Sequence, residues 1–272
     1  MTVPAPLALV RVDQRVASSY DAGGKTGGLR SGLLPLASLG GAGVATPGTA
    51  EALLRLSEAV LADGGDLRVT DCHRDVRVQR EARARYDRWV AAGKPKPGTS
   101  SFNARTMKAA FVALPGRSNH NGGRAVDVHL SMLRFPGARP EEQLDRLWAI
   151  AEPLGWSPVI RRPDEGASEA WHFDYWGPLG AVRDRLGYEQ AALCGAILVG
   201  HGDLVSYTAL AQALLVVSGH EIGTIDGLAG PRTLAALAGV LGCSSEQARR
   251  VVINEETSSI AILVRRAPLA AL

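Results

Sequence analysis

The chain lacks several features that define common protein classes. It has only three cysteines in 272 residues, and these are widely spaced, at Cys72, Cys194 and Cys243. Their odd number and spacing predict neither a disulfide framework nor a thiolate zinc site. No run of about 18 apolar residues occurs, as a membrane-spanning helix would require. No block of lysine and arginine occurs either, and the net charge of +3 is dispersed, which argues against a nucleic-acid partner.

The beginning of the chain lacks the pattern of a secretion signal. Residues 1–10 are largely apolar, but Arg11, Asp13 and Arg15 interrupt them before a secretory core forms. The composition, with 46% hydrophobic and 21% charged residues, is that of a globular protein with one sizeable domain and a smaller one. We therefore expect a folded protein with neither a recognisable signal peptide nor a membrane span.

Two short segments carry the residues of a predicted zinc site. His120 and Asp127 lie on either side of a glycine pair, and Glu169 and His172 follow downstream as Glu-x-x-His. A catalytic zinc ion usually takes three protein ligands from His, Asp or Glu and keeps a fourth position for water. We expect His120, Asp127 and His172 to be these ligands. Glu169 is then the unligated general base, which takes a proton from water and passes it to the leaving amine.

The glycines between the first two predicted ligands set their expected geometry. Gly122 and Gly123 allow a tight turn before a strand predicted at 124–130. Alternation along that strand places Asp127 and His129 on one face, so that Asp127 can point back at the metal. For His129 we favour a structural role over one at the metal. A lone His or Asp in such a loop is more often a turn or capping residue, and it is the complete pattern that favours a zinc site.

The segments 118–127 and 169–172 together resemble the motifs of a known enzyme family. The pattern Ser-x-His-x-x-Gly-x-Ala-x-Asp followed by Glu-x-x-His is similar to that of the VanY-like zinc D-alanyl-D-alanine carboxypeptidases and dipeptidases. It is also similar to that of the related phage L-alanyl-D-glutamate endopeptidases. These enzymes cut the peptide part of bacterial peptidoglycan. One extra glycine, Gly123, lengthens the turn here, and the resemblance covers roughly residues 45 to 180.

A third match lies upstream of these two segments. The segment 67–74, followed by Gln79, is similar to the family's strand-then-arginine segment. The resemblance implies that Arg74 stabilises the tetrahedral oxyanion, and an always-charged guanidinium with several donors suits that role. The alternative is an exposed surface arginine at the start of an arginine-rich helix. Where this chain has Cys72 and His73, the family more often has Gly-Tyr, which affects the expected shape of the substrate pocket.

Further residues near these motifs are assigned to the substrate side of the site. We expect Ser118 to orient the His120 loop rather than act as a nucleophile, since no histidine base is spaced to serve it. Trp171 is expected to line the cleft and hold His172 in place, and Asp174 to orient a ligand or line the cleft. The residues assigned to substrate binding are Ser118, His73, Gln79 and Trp171.

The order of the predicted elements indicates an α+β catalytic domain with a small antiparallel sheet and flanking helices. Apolar periodicity and turn residues predict helices at 49–61, 76–92 and 140–151, and strands at 67–70, 124–130, 156–160 and 169–175. The arginines of the second helix are expected on its exposed face. The predicted domains are an arm or irregular lead-in at 1–47, the catalytic domain at 48–186 and a small all-α domain at 187–272.

The last part of the chain contains a second recognisable string. Asp-Gly-x-x-Gly-Pro-x-Thr at 226–233 resembles the helical peptidoglycan-binding domain found beside many wall hydrolases. A tight turn at Asp226 and Gly227 ends at Gly230, and Pro231 suits the first turn of the next helix. The resemblance implies wall-binding roles for Asp226, Gly227 and Gly230. The alternative is an ordinary helix-turn-helix packing module.

These features predict a Zn²⁺-dependent peptidase that hydrolyses a bond in the stem peptide of bacterial peptidoglycan. Whether it is a D-Ala-D-Ala carboxypeptidase or an L-Ala-D-Glu-type endopeptidase stays open. The mildly basic charge favours approach to an anionic wall. Without a secretion signal, we expect a phage endolysin released by lysis, or a hydrolase carried by a virion or a phage-tail-like injection device. The alternative is a non-catalytic structural or adhesive wall-binding component with a structural zinc.

Overall fold

The computed structural model describes residues 6–12, 43–109, 111–129, 133–158, 169–200, 204–269 and 272. Most of the arm predicted at 1–47 lies outside these residues. Within its described part, β1 (Val10–Arg11) pairs antiparallel with β2 (Val44–Ala45). The two described segments of the predicted arm therefore pair with each other in a short ladder.

A four-stranded antiparallel sheet forms the centre of the first part of the chain. Its strands are β3 (Val69–Asp71), β4 (Ala125–Val128), β5 (Trp156–Pro158) and β6 (His172–Tyr175), in the order β3-β4-β6-β5. The predicted α+β class with a small antiparallel sheet is confirmed. The register places Asp127 of β4 opposite His172 of β6, so two predicted metal ligands lie side by side.

The strand predicted at 169–175 begins later than expected. The backbone N–H of His172 donates to the carbonyl of Glu169 at 2.8 Å, which closes a turn and keeps Glu169 out of the sheet. Similarly, β4 begins at Ala125 because the N–H of Arg124 is used by the preceding turn, where it donates to the carbonyl of Asn119 at 2.9 Å. The ends predicted for β4 and β5, at Leu130 and Ile160, lie outside the described residues.

The hydrophobic core of the sheet lies against two helices. These are α1 (Pro47–Ala62) and α3 (Pro140–Ala151), and both begin with a proline, which suits a first helical turn. The core is made of buried apolar side chains from both helices and from the strands, among them Leu53, Leu56, Val60, Leu147, Val126, Val128, Trp156 and Phe173. Val126 and Val128 belong to this core, so alternation along β4 directs Asp127 to the opposite face.

The arginines of α2 (Val76–Ala91) follow the prediction of an exposed basic face only in part, since Arg77, Arg80 and Arg88 are exposed but Arg85 is not. Arg85 is only 4% exposed and donates to the carbonyl of Ala104. Arg83 donates to the carbonyl of Val112 at 2.9 Å, and Arg88 to that of Thr106 at 2.8 Å. The long loop after α2 has little secondary structure of its own, and these guanidinium groups supply its carbonyls with hydrogen bonds. The helix therefore holds the loop that leads to the histidine motif.

The C-terminal part is helical where the structure describes it. Its helices are α4 (Leu179–Leu186), α5 (Tyr188–Leu198), α6 (Tyr207–Val217), α7 (Pro231–Leu241), α8 (Ser245–Ile253) and α9 (Thr257–Arg266). One hydrophobic core joins them, and it includes Trp176, Leu179 and Val182 from before the predicted boundary at 187. A capping box between Ser244 and Gln247 opens α8. The helical core thus begins at the end of β6.

The most thoroughly buried of these helices is α6. It has 11 residues, nearly all of them buried. At 1.5 Å per residue its length is about 17 Å, well short of the roughly 30 Å of a bilayer's hydrocarbon layer. Among the described residues, no helix combines the length and the apolarity needed to cross a membrane. The apolar character of α6 is explained by its place inside the helical core.

Candidate metal centre

The structure brings the three predicted ligands into one buried cluster. Nε2 of His120 and Nδ1 of His172 each lie 3.1 Å from the same oxygen of Asp127, Oδ1. The donor atoms of all three residues lie within 4.8 Å of one another. All three side chains are buried. The cluster has the composition and proximity that a metal site needs.

The turn that carries His120 is closed by its own backbone. Gly123 donates to the carbonyl of His120 at 3.1 Å, and its carbonyl accepts from the N–H of Thr46 at 3.0 Å. Gly123 has a φ of +63°, and a Cβ there would lie 2.7 Å from Cδ2 of Leu9 and 3.2 Å from the N of Thr46. Only glycine fits this position without strain. The extra residue in the motif is therefore required by the close approach of β2.

Both histidine rings are held by the nitrogen that faces away from the cluster. Nδ1 of His120 donates to the carbonyl of Cys72, directly after β3. Nε2 of His172 lies 2.9 Å from Oδ1 of Asp174 and donates to that carboxylate. Such partners fix the tautomer and orientation of a metal-binding histidine. They leave Nε2 of His120 and Nδ1 of His172 as the nitrogens that can ligate.

The donor set fits a zinc ion. Ligands about 2.0–2.1 Å from a tetrahedral zinc are about 3.3 Å apart, and both histidine nitrogens lie 3.1 Å from Asp127 Oδ1. Two imidazoles and one carboxylate are also a usual set for a catalytic zinc, which keeps its fourth position open. The cluster could hold a metal ion with little rearrangement of the side chains.

The charges in the cluster stabilise each other. Burial would raise the pKa of the Asp127 carboxyl, but His120 and His172 lower that pKa well below its ordinary value. Burial would lower the pKa of His172, but Asp174 and Asp127 raise it well above its ordinary value. The raised pKa of His172 favours a second proton on this ring beside the ionised Asp127 carboxylate. That proton must leave when a metal ion binds.

Arg74 lies beside the cluster and is only 11% exposed, so it is not a surface arginine. Its Nε and Nη2 donate to Oδ2 of Asp71 at 3.2 and 2.7 Å, and its Nη1 donates to Oε1 of Gln79 at 3.0 Å. Nη2 also lies 3.7 Å from Oδ2 of Asp127. Gln79 is buried and donates to the carbonyl of Ala113 at 2.8 Å. Its amide holds Arg74, while its assignment to substrate binding stays a prediction.

Glu169 and Trp171 precede β6 on the same turn. Glu169 is partly exposed and accepts a backbone hydrogen bond from His172. The side chain of Trp171 is 40% exposed, whereas His172 beside it is 5% exposed. The turn thus leads from the surface into the cluster. The catalytic role of Glu169 and the ligand-holding role of Trp171 stay predictions.

The remaining residues assigned to the site lie around it. Ser118 is buried, and its carbonyl accepts from the N–H of Asn121 at 2.9 Å within the turn that carries the first histidine. His73 is partly buried, and its N–H donates to the carbonyl of Val44 at 3.0 Å. His129 is exposed, as a residue without a role at the metal can be. The substrate-binding roles of Ser118 and His73 stay predictions.

Several residues around the cluster were not singled out in the sequence. Asp71 fixes Arg74, and its position at the end of β3, three residues before an arginine, was a usable signal. Asn121 donates to the carbonyl of Arg74 at 2.7 Å and accepts from the N–H of Gly116 at 3.0 Å. The contacts of Asn121 join the segment that carries Arg74 to the turn that carries His120.

The string at 226–233 forms a loop that is anchored to α6. The Nε2 of Gln212 donates to Oδ1 of Asp226 at 2.9 Å, and its Oε1 accepts from the N–H of Gly227 at 2.8 Å. The hydrogen bond from Gln212 lowers the pKa of Asp226. Gly227 has a φ of +76°, Gly230 is the N-cap of α7, and Leu228 between them is 68% exposed. The string builds the loop, and its wall-binding role stays a prediction.

Comparison with known proteins places these features in context. The VanY family, described as D-alanyl-D-alanine carboxypeptidase, matches residues 44–178. No curated protein matches the chain.

Two solved structures are similar to part of the chain. One is VanYB in complex with D-alanine-D-alanine, which is 24% identical over 52% of this chain and 76% of that chain, with a TM-score of 0.36. The other is a vancomycin-resistance D,D-pentapeptidase VanY from a VanB-type resistance cassette, a glutamate-to-alanine variant in complex with Zn(II). It is 23% identical over 60% of this chain and 84% of that chain, with a TM-score of 0.34.

Proposed function

Since residues 44–178 make this chain a member of the VanY D-alanyl-D-alanine carboxypeptidase family, we propose that it is a zinc peptidase that removes the terminal D-alanine from peptidoglycan stem peptides. The observation that carries the proposal is the cluster of His120, Asp127 and His172. Both histidines are held by their outer nitrogens, so the inner nitrogens converge on one carboxylate oxygen. A buried arrangement of this kind suits a metal site.

Each of the three side chains would supply one ligand atom to the ion. Nε2 of His120, a carboxylate oxygen of Asp127 and Nδ1 of His172 would be the ligands, and Cys72 and Asp174 would keep the rings in place. When bound, zinc supplies a Lewis acid that polarises a carbonyl and acidifies water at its open position. The donor set carries one negative charge, so part of the charge of the dication stays available to the substrate.

Glu169 moves the proton in this proposal. Its carboxylate takes a proton from the attacking water as the new carbon–oxygen bond forms, and it passes that proton to the amine nitrogen as the carbon–nitrogen bond breaks. Its place in the turn beside His172, with a partly exposed side chain, supports this role. A carboxylate at this position can meet both substrate and solvent.

Arg74 stabilises the negative oxygen of the tetrahedral intermediate. Two carboxylate contacts from Asp71 and one amide contact from Gln79 fix its guanidinium 3.7 Å from Asp127. A positive charge that is already oriented does not have to reorganise during the reaction, which is the basis of electrostatic catalysis. Asp71 and Gln79 act here as positioning residues.

Mass spectrometry of defined stem peptides tests the proposed reaction. Zinc-loaded protein is incubated with a stem pentapeptide ending in D-Ala-D-Ala, with and without a chelator. The proposal predicts chelator-sensitive loss of one terminal alanine. An internal cut would instead establish an endopeptidase, and sacculus binding without chelator-sensitive cleavage would establish the structural or adhesive alternative.

We also propose that the helical region keeps the enzyme on its polymer, which raises the effective concentration of substrate. The 226–233 string and the exposed apolar Leu228 at its loop support this role. In the full chain, Leu228→Asp is expected to weaken sacculus binding severalfold in a pull-down assay, with turnover of a soluble pentapeptide unchanged. Equal sacculus binding by the variant and the wild type would contradict the role of this loop.

Delivery by phage lysis or by a tail-like injection device stays a prediction from the sequence. Its test is the location of the native protein. Detection of the protein in the medium of intact, phage-free cells would contradict it.

A further inference from the structure

We infer that Arg124 is a positioning residue of the metal centre, and that its guanidinium holds the turn that carries His120 against both the end of β6 and Leu272. The inference rests on the proposed function, because it takes His120 and His172 to be metal ligands. Leu272 lies outside the matched residues 44–178. Part of the support of the metal site is thus assigned to the chain beyond the matched residues.

The backbone of Arg124 joins the two segments that carry the histidines. Its N–H donates to the carbonyl of Asn119 at 2.9 Å, and its carbonyl accepts from the N–H of Tyr175 at 2.8 Å. Asn119 directly precedes His120, and Tyr175 is the last residue of β6, the strand that begins at His172. A displacement of Arg124 would therefore change the position of one candidate ligand relative to the other.

The guanidinium of Arg124 continues this connection in the interior. Its Nη2 donates to the carbonyl of Trp176, the residue after β6, at 2.5 Å, and its Nη1 donates to the carbonyl of Leu272 at 3.0 Å. Its Cζ lies 5.5 Å from the centroid of the Tyr175 ring. Arg124 is buried, and a buried charge is stable only with such partners. The end of β6 and Leu272 therefore fix the position of this side chain.

A second donor holds the same oxygen of Leu272. Oγ1 of Thr46 donates to it, and the backbone N–H of Thr46 donates to the carbonyl of Gly123 at 3.0 Å. Since Gly123 directly precedes Arg124, these contacts close a ring of hydrogen bonds from the histidine turn through Thr46 and Leu272 back to Arg124. Both Thr46 and Leu272 are buried, so water competes little for these contacts.

Two glycines leave the space that the side chain of Arg124 occupies. A Cβ on Gly195 of α5 would lie 3.3 Å from Cδ of Arg124, and a Cβ on Gly177 would lie 3.0 Å from its Nη2. Both distances are tighter than an ordinary van der Waals contact. The guanidinium is thus packed between α5 and the turn after β6 as well as hydrogen-bonded, and it has little freedom to move.

The expected effect is on metal affinity. Loss of a direct partner of a metal-binding histidine typically lowers affinity or activity about 10–100-fold. Arg124 acts through the backbone that carries the ligands, so we expect Arg124→Lys to weaken zinc binding about threefold to tenfold, by the same physical cause. Lysine keeps the positive charge but lacks the planar fork that binds two carbonyls at once.

A competition titration with a chromophoric chelator tests the inference in the full chain. Arg185→Lys is the matched control, because the guanidinium of Arg185 also donates to two backbone carbonyls, those of Val216 at 2.8 Å and Gly219 at 3.2 Å, both within the helical region. We expect weaker zinc binding by Arg124→Lys and unchanged binding by Arg185→Lys. Equal zinc affinity of Arg124→Lys and the wild type would overturn the inference.

The absorption spectrum of the Co²⁺-substituted chain separates positioning from a general loss of stability, because its ligand-field bands depend on the geometry of the ligands. At a temperature where circular dichroism shows both chains to be folded, we expect Arg124→Lys to shift these bands relative to the wild type. Weaker metal binding with wild-type bands would assign the effect to stability and overturn the inference.

The contribution of Leu272 is tested with Thr46→Val, which nearly keeps the shape of the side chain and removes the donor to the Leu272 oxygen. We expect this variant to weaken zinc binding too. The loss in the double variant with Arg124→Lys should be smaller than the sum of the single losses, since both side chains hold one oxygen. Additive losses would overturn the role of Leu272. A wild-type chain that binds no zinc would overturn the proposed function, and this inference with it, whereas zinc binding that is indifferent to Arg124 overturns the inference alone.

Discussion

The two ring nitrogens of His172 contact different carboxylates. Nε2 is committed to Asp174 at 2.9 Å, and Nδ1 lies 3.1 Å from Asp127 in the cluster. The same division holds for His120, whose Nδ1 is committed to the carbonyl of Cys72. A ligand histidine depends on its second partner for tautomer and orientation. The metal centre therefore extends beyond its three ligands to Cys72 and Asp174.

Glu169→Gln tests the proton transfer at this scale. Glutamine has nearly the same shape but cannot accept and return the proton, so kcat should fall about 10²–10⁴-fold. Zinc affinity should stay unchanged, because Glu169 is not in the ligand cluster. Steady-state kinetics and a zinc titration measure the two quantities.

The matched control is Glu58→Gln on α1, where the glutamate is exposed. It should leave both kcat and zinc affinity as they are. A Glu169→Gln protein with wild-type kcat would remove Glu169 from its proposed role.

Among the elements of the fold, β2 and α5 both contact the turn that carries His120, and the site depends on these contacts. Gly123 accepts a hydrogen bond from the N–H of Thr46, the residue after β2, and Gly122 lies against Gly195 of α5. Both contacts are between backbones, which approach closely because the side chains are absent. The turn is fixed from two sides before any side chain of the cluster is considered.

Gly123→Ala tests the contact with β2. A residue with a side chain at φ +63° is strained, and its Cβ would also lie 3.2 Å from the N of Thr46. Backbone strain of this kind costs about 1–3 kcal/mol, and we expect a loss of unfolding free energy at the upper end of that range in urea unfolding. Gly137→Ala is the control, since Gly137 has a φ of +76° with nothing within 4 Å of an added Cβ.

The control separates the cost of the close contact with Thr46 from the cost of the positive φ. Gly137→Ala should lose only the part due to φ. Equal losses in the two variants would show that the approach of β2 contributes nothing to the turn.

Features that depend on residues close together in the sequence could be predicted, whereas features that depend on residues far apart in the sequence could not. The clustering of His120, Asp127 and His172 could be predicted because their motifs are short and their residue types suit zinc. The Arg83, Arg85 and Arg88 contacts were missed because the carbonyls that need them belong to a distant loop. The helical periodicity therefore predicts an exposed Arg85, whereas the side chain is buried.

Contacts between separate elements were the hardest to foresee. The start of β6 was misplaced because one turn hydrogen bond, from His172 to Glu169, overrides the strand pattern. Tyr188 has no motif of its own, and only the packing of α5 brings its ring to Trp176, with the two centroids 5.3 Å apart.

The turn that carries His120 lies between the two hydrophobic cores of the molecule. Val126 belongs to the core of the sheet, and Trp176 to that of the helices. Arg124, between the turn and β4, is 1% exposed, and it donates to the carbonyls of Trp176 and Leu272. Burial lowers the pKa of Arg124 to about 10, so it remains charged at neutral pH. This side chain connects the metalloprotein site to the helical region.

In the proposed function, His120, Asp127 and His172 hold the single zinc ion on which cleavage of the stem peptide depends. Its most direct test is a zinc titration of the metal-free full chain, with release of D-alanine from a stem pentapeptide as the readout. We expect no release of D-alanine without metal, and a linear rise to a plateau at one zinc per chain. Full release of D-alanine by the metal-free protein would contradict it.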